Sequence, residues 1–299
     1  MNGIITNIQR FSLSDGDGIR TTVFFKGCNM KCEWCHNPET INLKRELMFY
    51  KNKCIGCGKC FEVCPRGTHK MIDGAHIIDR EACVSCGKCS EVCYAEALTM
   101  CGTQKTVDEV MKELRQDKEY YQSSGGGITL SGGEVLCQRD FAIEICKACK
   151  EEEISTALET NLCFDFDFAK ELLKCVDLIM CDIKIFDDDE HIKHTGVSNK
   201  LILGNIKRLD ELGIPVIVRT PLIPDVTDTE TNISEIVNYI KELKNLRRYE
   251  LLSFNPLGEG KYKGLDRENI FEKCKGTSEI KLEQLSGVVK EAGIAYKIV

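Results

Sequence analysis

Thr21-Thr-Val-Phe-Phe-Lys-Gly-Cys-Asn-Met-Lys-Cys-Glu-Trp-Cys-His36 is the stretch on which the reading of this chain turns. Its β-branched and aromatic start reads as a strand, and Cys28, Cys32 and Cys35 follow in a loop at C-x3-C-x2-C spacing. Three thiolates can hold three irons of a cubane 4Fe-4S cluster and leave the fourth iron open to a substrate or cofactor. A structural zinc site would want four closed ligands, and His36, directly after Cys35, is badly placed to be the fourth. Buried cysteines without a metal are the remaining alternative.

Outward from that loop, 299 residues suffice for one large barrel-like domain or for two domains. A charged fraction of 29% and a hydrophobic fraction of 42% are those of a globular chain, and a net charge of −7 argues against a nucleic-acid partner. No apolar run reaches membrane-spanning length, and Met1-Asn-Gly-Ile-Ile lacks signal-peptide anatomy, so neither membrane nor export is expected. The 19 cysteines are the anomaly. Eleven are spaced as metal ligands; the others (Cys101, Cys137, Cys146, Cys149, Cys163, Cys175, Cys181, Cys274) are scattered on apolar faces. A reducing, anaerobic cytoplasm is the expected setting.

Two further cysteine runs repeat one unit. Cys54, Cys57, Cys60 and Cys64 are spaced C-x2-C-x2-C-x3-C, as are Cys83, Cys86, Cys89 and Cys93. This is the bacterial two-cluster ferredoxin pattern, in which the fourth cysteine of each run crosses to the other cluster. One cluster should therefore take Cys54, Cys57, Cys60 and Cys93, and the other Cys83, Cys86, Cys89 and Cys64. Tyr94 stands where proline is usual after the second run. Zinc knuckles would use two pairs with a longer spacer.

Beyond residue 101 a β/α alternation resumes, which marks 50–101 as an insert between segments 1–49 and 102–299. Thr106 and Glu109 offer a capping box for a helix toward Tyr121. Gly125-Gly-Gly-Ile-Thr-Leu-Ser-Gly-Gly-Glu-Val135 reads as a strand ending in a Gly-rich loop, with further strands near 155–159, 178–185, 215–220, 250–254 and 295–299. About six β/α units predict a parallel sheet with its site at the C-terminal strand ends. Ser14-Asp-Gly-Asp-Gly-Ile-Arg20 is read as a loop before the first strand, and Asp187-Asp-Asp-Glu190 as a solvated loop. Asp182 and Lys184 share one strand face, as a mutual ion pair or as ligand contacts.

In order along nearly the whole chain, these motifs resemble the radical S-adenosylmethionine (SAM) superfamily, and within it the activating enzymes of glycyl radical enzymes. The likeness rests on the three-cysteine loop with Trp34, on Asp15, Gly16 and Arg20 as D-G-x-G-x-R, and on Cys35–Glu39 as C-x-N-P-E. Ser131–Glu134 match S-G-G-E-P, with Val135 for the proline. Glu159-Thr160, Asp182–Lys184, the Thr195-Gly196 pair with Asn205, and Arg219 with Ile223-Pro224 match later motifs.

The resemblance implies a partial (β/α)6 TIM-like barrel with an inserted ferredoxin-like domain holding two 4Fe-4S clusters. It implies SAM on the open iron of the Cys28, Cys32 and Cys35 cluster, beside Trp34, His36, Gly132, Gly133, Glu134, Asp182, Ile183, Lys184 and Arg219. The family usually reads L-L-P-Y-H-x-x-G where this chain has Ser253 and Asn255; Asn255 keeps hydrogen bonding there but cannot titrate near neutrality.

The implied activity is that of a radical SAM oxidoreductase using three 4Fe-4S clusters and SAM. The reduced loop cluster passes one electron to SAM, and the resulting radical takes a hydrogen from a glycine of a partner enzyme. The insert would relay electrons from flavodoxin or ferredoxin, and the protein is expected to be a monomer. A radical SAM enzyme for a small molecule is the alternative, but it would be expected to close its mouth with C-terminal additions that this chain lacks. A pure electron carrier would leave ~200 residues of β/α chain without a purpose.

Overall fold

In the computed structural model, which describes residues 1–299, the strands are β1 (Asn2–Ser12), β2 (Arg20–Phe25), β3 (Glu46–Phe49), β4 (His69–Ile72), β5 (Ala75–Ile78), β6 (Leu98–Cys101), β7 (Thr103–Thr106), β8 (Gly127–Gly132), β9 (Thr156–Thr160), β10 (Leu178–Asp182), β11 (Val216–Leu222), β12 (Leu246–Ser253) and β13 (Tyr296–Ile298). Nine form one sheet in the order β13-β12-β11-β10-β9-β8-β2-β1-β7. The expected β/α strands are β2 and β8 to β13, all parallel, seven in number. β13 and β7 are the two edges, so the sheet is open.

The antiparallel flank was not foreseen. β1 pairs with β2 and β7 through residues to which the sequence reading assigns no strand. Register shifts between Ile5 and Asn7 and between Gln9 and Ser12 interrupt the alternation that would have announced it.

Strand alternation builds two different faces. Val23, Leu130, Leu158, Cys181, Val218 and Tyr249 belong to a cluster of 43 buried residues under the crossover helices, each large side chain contributing about 1.5–3 kcal/mol of burial. On the opposite face, Ala157, Met180 and Ile217 form a small apolar floor. Two residues farther toward the C-terminal ends come Glu159, Asp182 and Arg219. Chemistry starts where that floor ends.

The capping box forms as expected: Glu109 N–H donates to Thr106 Oγ1 at 3.1 Å, and Thr106 N–H donates to the Glu109 carboxylate at 2.7 Å. The helix it opens stops at Leu114, and a 3-10 turn at Arg115–Asp117 separates it from Lys118–Ser124. The acidic run is not a loop. Asp187 accepts from Glu190 N–H at 2.9 Å and caps helix Asp188–Thr195, whose first turn suits negative charge.

Residues 50–101 leave the sheet between β3 and β6, which pair antiparallel as a neck from Glu46↔Cys101 to Phe49↔Leu98. The neck is pinned on both sides. Buried Lys26 donates to Glu46 at 2.9 Å, Arg267 donates to Glu46 at 2.6 Å, and Arg80 bonds Gly264 O at 2.9 Å and Asp266 at 2.8 Å. The mouth is not bare either. Between β12 and the last helix (Glu279–Glu291), the chain folds back so that Phe254 and Phe271 join Trp34, Ile185 and Ile223 in one apolar cluster.

Candidate active site at the strand ends

The loop carrying Cys28, Cys32 and Cys35 is held by backbone bonds to two segments. Gly27 N–H donates to Thr40 O at 2.6 Å and Cys28 N–H to Ile41 O at 3.0 Å. Lys31 and Glu33 N–H groups cap the last carbonyls of helix Asp188–Thr195, at 2.9 Å to Thr195 O and 3.1 Å to His194 O. His194 Nδ1 also lies 2.7 Å from Glu33. Glycines are required where β8 meets this loop: Gly133 N–H donates to Phe25 O at 3.0 Å, and a Cβ on Gly133 would lie 2.3 Å from Gly27 O.

Below the loop opens a cavity of about 390 Å³, of the size of small-ligand sites. Cys28, Cys32, Cys35, Trp34 and His36 line one side, Gly132 and Gly133 another, and Asp182, Lys184, Arg219 and Glu159 the floor. Asp182, Arg219 and Glu250 are in register across β10, β11 and β12, so charges alternate along the row. Arg219 pairs with Glu159 and faces Glu250 at 3.4 Å. Burial opposes its charge, but Glu159, Asp182 and Glu250 outweigh that and raise its pKa. Lys184 pairs with Asp182; burial again opposes the charge, and Asp182 and the Cys32 sulfur overcome it.

Burial pushes Cys28 and Cys35 up to about 12, so iron must displace protons that these thiols otherwise hold. Burial, then Lys261, lowers His36 and keeps its imidazole neutral near pH 7.

These residues fit a zwitterionic ligand placed against three cysteines. Arg219 Nε and Glu250 Oε2 face each other at 3.4 Å as a buried ion pair, and Arg219, Gly132 and Gly133 all border the cavity.

Two expected contacts, those of Glu134 and Ile183, are corrected, and Asn255 has a second role beside the cavity. The Glu134 carboxylate turns away from the cavity and accepts from Asn161 N–H at 2.7 Å and from Leu136 N–H and Thr160 Oγ1 at 3.0 Å, tying β8 to β9. The reversal follows from Gly132, whose φ of +117° breaks the strand alternation. Ile183 points into the main core, opposite to its neighbours Asp182 and Lys184. Asn255 borders the cavity but is exposed, and its side chain accepts from Leu257 N–H at 3.2 Å, capping the Pro256–Gly258 turn.

Sequence reasoning missed the cavity roles of Asp15, Glu159 and Asn161. Asp15 accepts from Ser12 and Thr22 hydroxyls at 2.5 and 2.6 Å, which folds the Asp-Gly loop over the floor. Asn161 donates to Asn29 at 2.8 Å beside Cys28. Asn205 braces the loop after β9 through Leu162 O and Phe164 O, at 2.8 and 2.7 Å.

In the insert, one cavity of about 300 Å³ is lined by Cys54, Cys57, Cys60 and Cys93, and a smaller one by Cys64, Cys83, Cys86 and Cys89. The fourth cysteine of each run therefore lies with the other run's three. Gly58 and Gly87, both left-handed, start the short helices that carry Cys60 and Cys89.

Residues 92–237 match the radical SAM superfamily, 46–94 a 4Fe-4S dicluster domain and 14–62 a 4Fe-4S single cluster domain. The chain is 38% identical to the trans-4-hydroxy-L-proline dehydratase activating enzyme of Clostridioides difficile, over 100% of this chain and 99% of that one. It is 36% identical to the choline trimethylamine-lyase activating enzyme of Oleidesulfovibrio alaskensis, over 99% and 97%. Identity is 42% to the (2S)-3-sulfopropanediol dehydratase activating enzyme of Klebsiella oxytoca, over 88% and 85%. A solved domain of a pyruvate-formate lyase-activating enzyme from Bacteroides vulgatus superposes with a TM-score of 0.50 at 28% identity, over 58% of this chain and 99% of that one. A radical SAM methyltransferase from Sphaerobacter thermophilus shares the fold at a TM-score of 0.55 and 14% identity, over 99% and 76%. The chain belongs to the radical SAM superfamily and, within it, to the activating enzymes of glycyl radical enzymes, iron–sulfur proteins that use SAM to generate a glycyl radical on a partner.

Proposed function

We propose that residues 1–49 and 102–299 form a partial (β/α)6 barrel that carries out SAM cleavage at Cys28, Cys32 and Cys35, and that residues 50–101 form a ferredoxin-like insert with two further 4Fe-4S clusters. The observation that carries this is the single cavity with three cysteines on one wall and the Asp182, Lys184 and Arg219 charges on its floor. When bound, the loop cluster supplies one electron to the SAM sulfonium, and SAM cleavage provides the radical that takes the glycine hydrogen. Arg219, which lines the cavity, holds the carboxylate of SAM; Asp182 and Lys184 take its hydroxyls; the backbone of Gly132 and Gly133 supports its methionyl end. Trp34 and Phe271 wall the cluster side from water.

Cys54, Cys57, Cys60 and Cys93 hold one insert cluster, and Cys83, Cys86, Cys89 and Cys64 the other, in line with the two cysteine-lined cavities. The insert accepts electrons from flavodoxin or ferredoxin, and the protein acts as a monomer in a reducing cytoplasm. No helix is long and apolar enough to cross a membrane. Relatives named for partner enzymes with three different substrates match at 36–42% identity, so the likeness tracks the activating reaction rather than the partner's substrate.

The test is anaerobic incubation with SAM, a reductant and a glycyl radical enzyme from the same organism as the candidate partner. The proposal expects 5′-deoxyadenosine to form together with a glycyl signal in electron paramagnetic resonance. Deoxyadenosine formed with a modified small molecule and no protein radical would sink it.

A further inference from the structure

The β4–β5 hairpin of the insert brings two of the chain's five histidines together. His76 Nδ1 lies 3.7 Å from Cys54 Sγ, its Nε2 lies 4.0 Å from Cys60 Sγ, and that Nε2 is 2.9 Å from His69 Nδ1. Phe49 and Phe61 flank the His76 ring at centroid distances of 4.5 and 5.0 Å, which fixes its orientation. No histidine lines the cavity of Cys64, Cys83, Cys86 and Cys89, where Thr68 N–H and Oγ1 lie 3.4 and 3.3 Å from Cys64 Sγ.

The contact pattern selects one proton arrangement. An iron-bound thiolate accepts hydrogen bonds and donates none, so the nitrogen facing Cys54 must carry the hydrogen. His76 Nε2 is then the acceptor, and His69 Nδ1–H donates to it. That leaves His69 Nε2 bare, in agreement with its burial without any partner. The reverse arrangement would aim a lone pair at Cys54, the nearer of the two sulfurs, and bury an N–H of His69 with no acceptor.

We propose that His76 donates a hydrogen bond to the Cys54 sulfur, that His69 holds it in the donating tautomer, and that the pair raises the reduction potential of the first-run cluster alone. A hydrogen bond to sulfur draws charge from the cluster and favours the reduced state, which carries one more electron. Reduction here takes one electron from the donor and makes or breaks no covalent bond. Cys60, His69 and His76 also bring three ligand atoms within 4.8 Å of one another, as a separate metal ion would need. The Cys60 thiolate cannot serve both that ion and the cluster, and the 2.9 Å between the imidazoles is hydrogen-bond length.

This inference rests on the cluster assignment proposed above, and the iron content separates the two. In the reconstituted full-length protein, His76→Phe with unchanged iron should move the midpoint of one insert cluster to more negative potential and leave the other in place. His76→Asn, which restores an N–H, should recover part of the shift. In the wild-type protein with 15N-labelled histidine, pulsed paramagnetic resonance should show one weakly coupled nitrogen and an exchangeable proton lost in D2O. An unchanged midpoint at full iron overturns the inference. If the Phe variant loses iron, the wild-type spectrum decides: no histidine coupling, or a coupling as strong as that of an iron ligand, overturns it.

Discussion

The barrel site and the insert hold cysteines in opposite ways. Cys28, Cys32 and Cys35 sit on a loop stitched to Thr40, Ile41 and Thr195, against a core of 43 buried residues. The eight insert cysteines surround a core of only six buried residues, one of which, Cys89, is itself among those eight, and Cys57 and Cys86 are exposed. A unit with so small a core needs staples from elsewhere. On the proposed assignment the sheet builds a place for its cluster, whereas the clusters would build the insert.

Iron removal is the strongest way to break that contrast. Anaerobic chelation should strip amide protection from residues 50–101 in hydrogen exchange while β8 to β11 stay protected. Collapse of the whole chain in one transition would refute it. Changing Cys28, Cys32 and Cys35 together to Ala should leave about eight of about twelve irons, and loss of all iron would show that the sites are not separate.

The crossover sharpens the contrast next. Cys93→Ala should damage the cluster of the first run, whose cavity it lines, and spare that of the second. Spectra in which only the second-run cluster changes would contradict the paired cavities.

Glu134 tests the preformed side. Glu134→Ala leaves the Leu136 and Asn161 N–H groups and the Thr160 hydroxyl unpaired in the core, a cost of about 3 kcal/mol or more measurable by denaturation. Burial raises this carboxyl from 4.5 to about 7. Its contribution to stability is thus present below pH 4.5 and is lost as the pH rises through about 7. Glu134→Gln should flatten that slope, and a slope identical to wild type would assign it to other groups.

The smallest effect is expected at Asn255. It caps a turn and stands exposed, so Asn255→Ala should cost about 0.5–2 kcal/mol of local stability and change SAM affinity less than threefold by titration calorimetry. A tenfold loss would make it a ligand contact.

Legibility followed the same division. Strands with unbroken β-branched runs, such as Val216–Val218, were visible, as were motifs whose spacing is covalent, such as the cysteine runs. What sequence could not give was side-chain direction at strand ends. Period-two alternation sends Asp182 to the cavity and Ile183 to the core, but motif matching had taken both. At Glu134 the alternation itself fails, because Gly132 turns the backbone. Asp15 reaches the cavity only through β1, whose bulged register left no clean pattern to read.

The neck has a consequence for descent. Because β3 and β6 pair, the two ends of the insert lie one strand spacing apart, about 4.8 Å. A recombination event between Phe49 and Leu98 could delete, shorten or replace everything in between without shifting any strand of the nine-stranded sheet. Lys26, Glu46 and Arg267 would still brace the seam after such an exchange, since all three lie outside the excised span. The cysteine-rich insert can thus be gained, lost or traded as a cassette while the cavity at the strand ends is inherited intact.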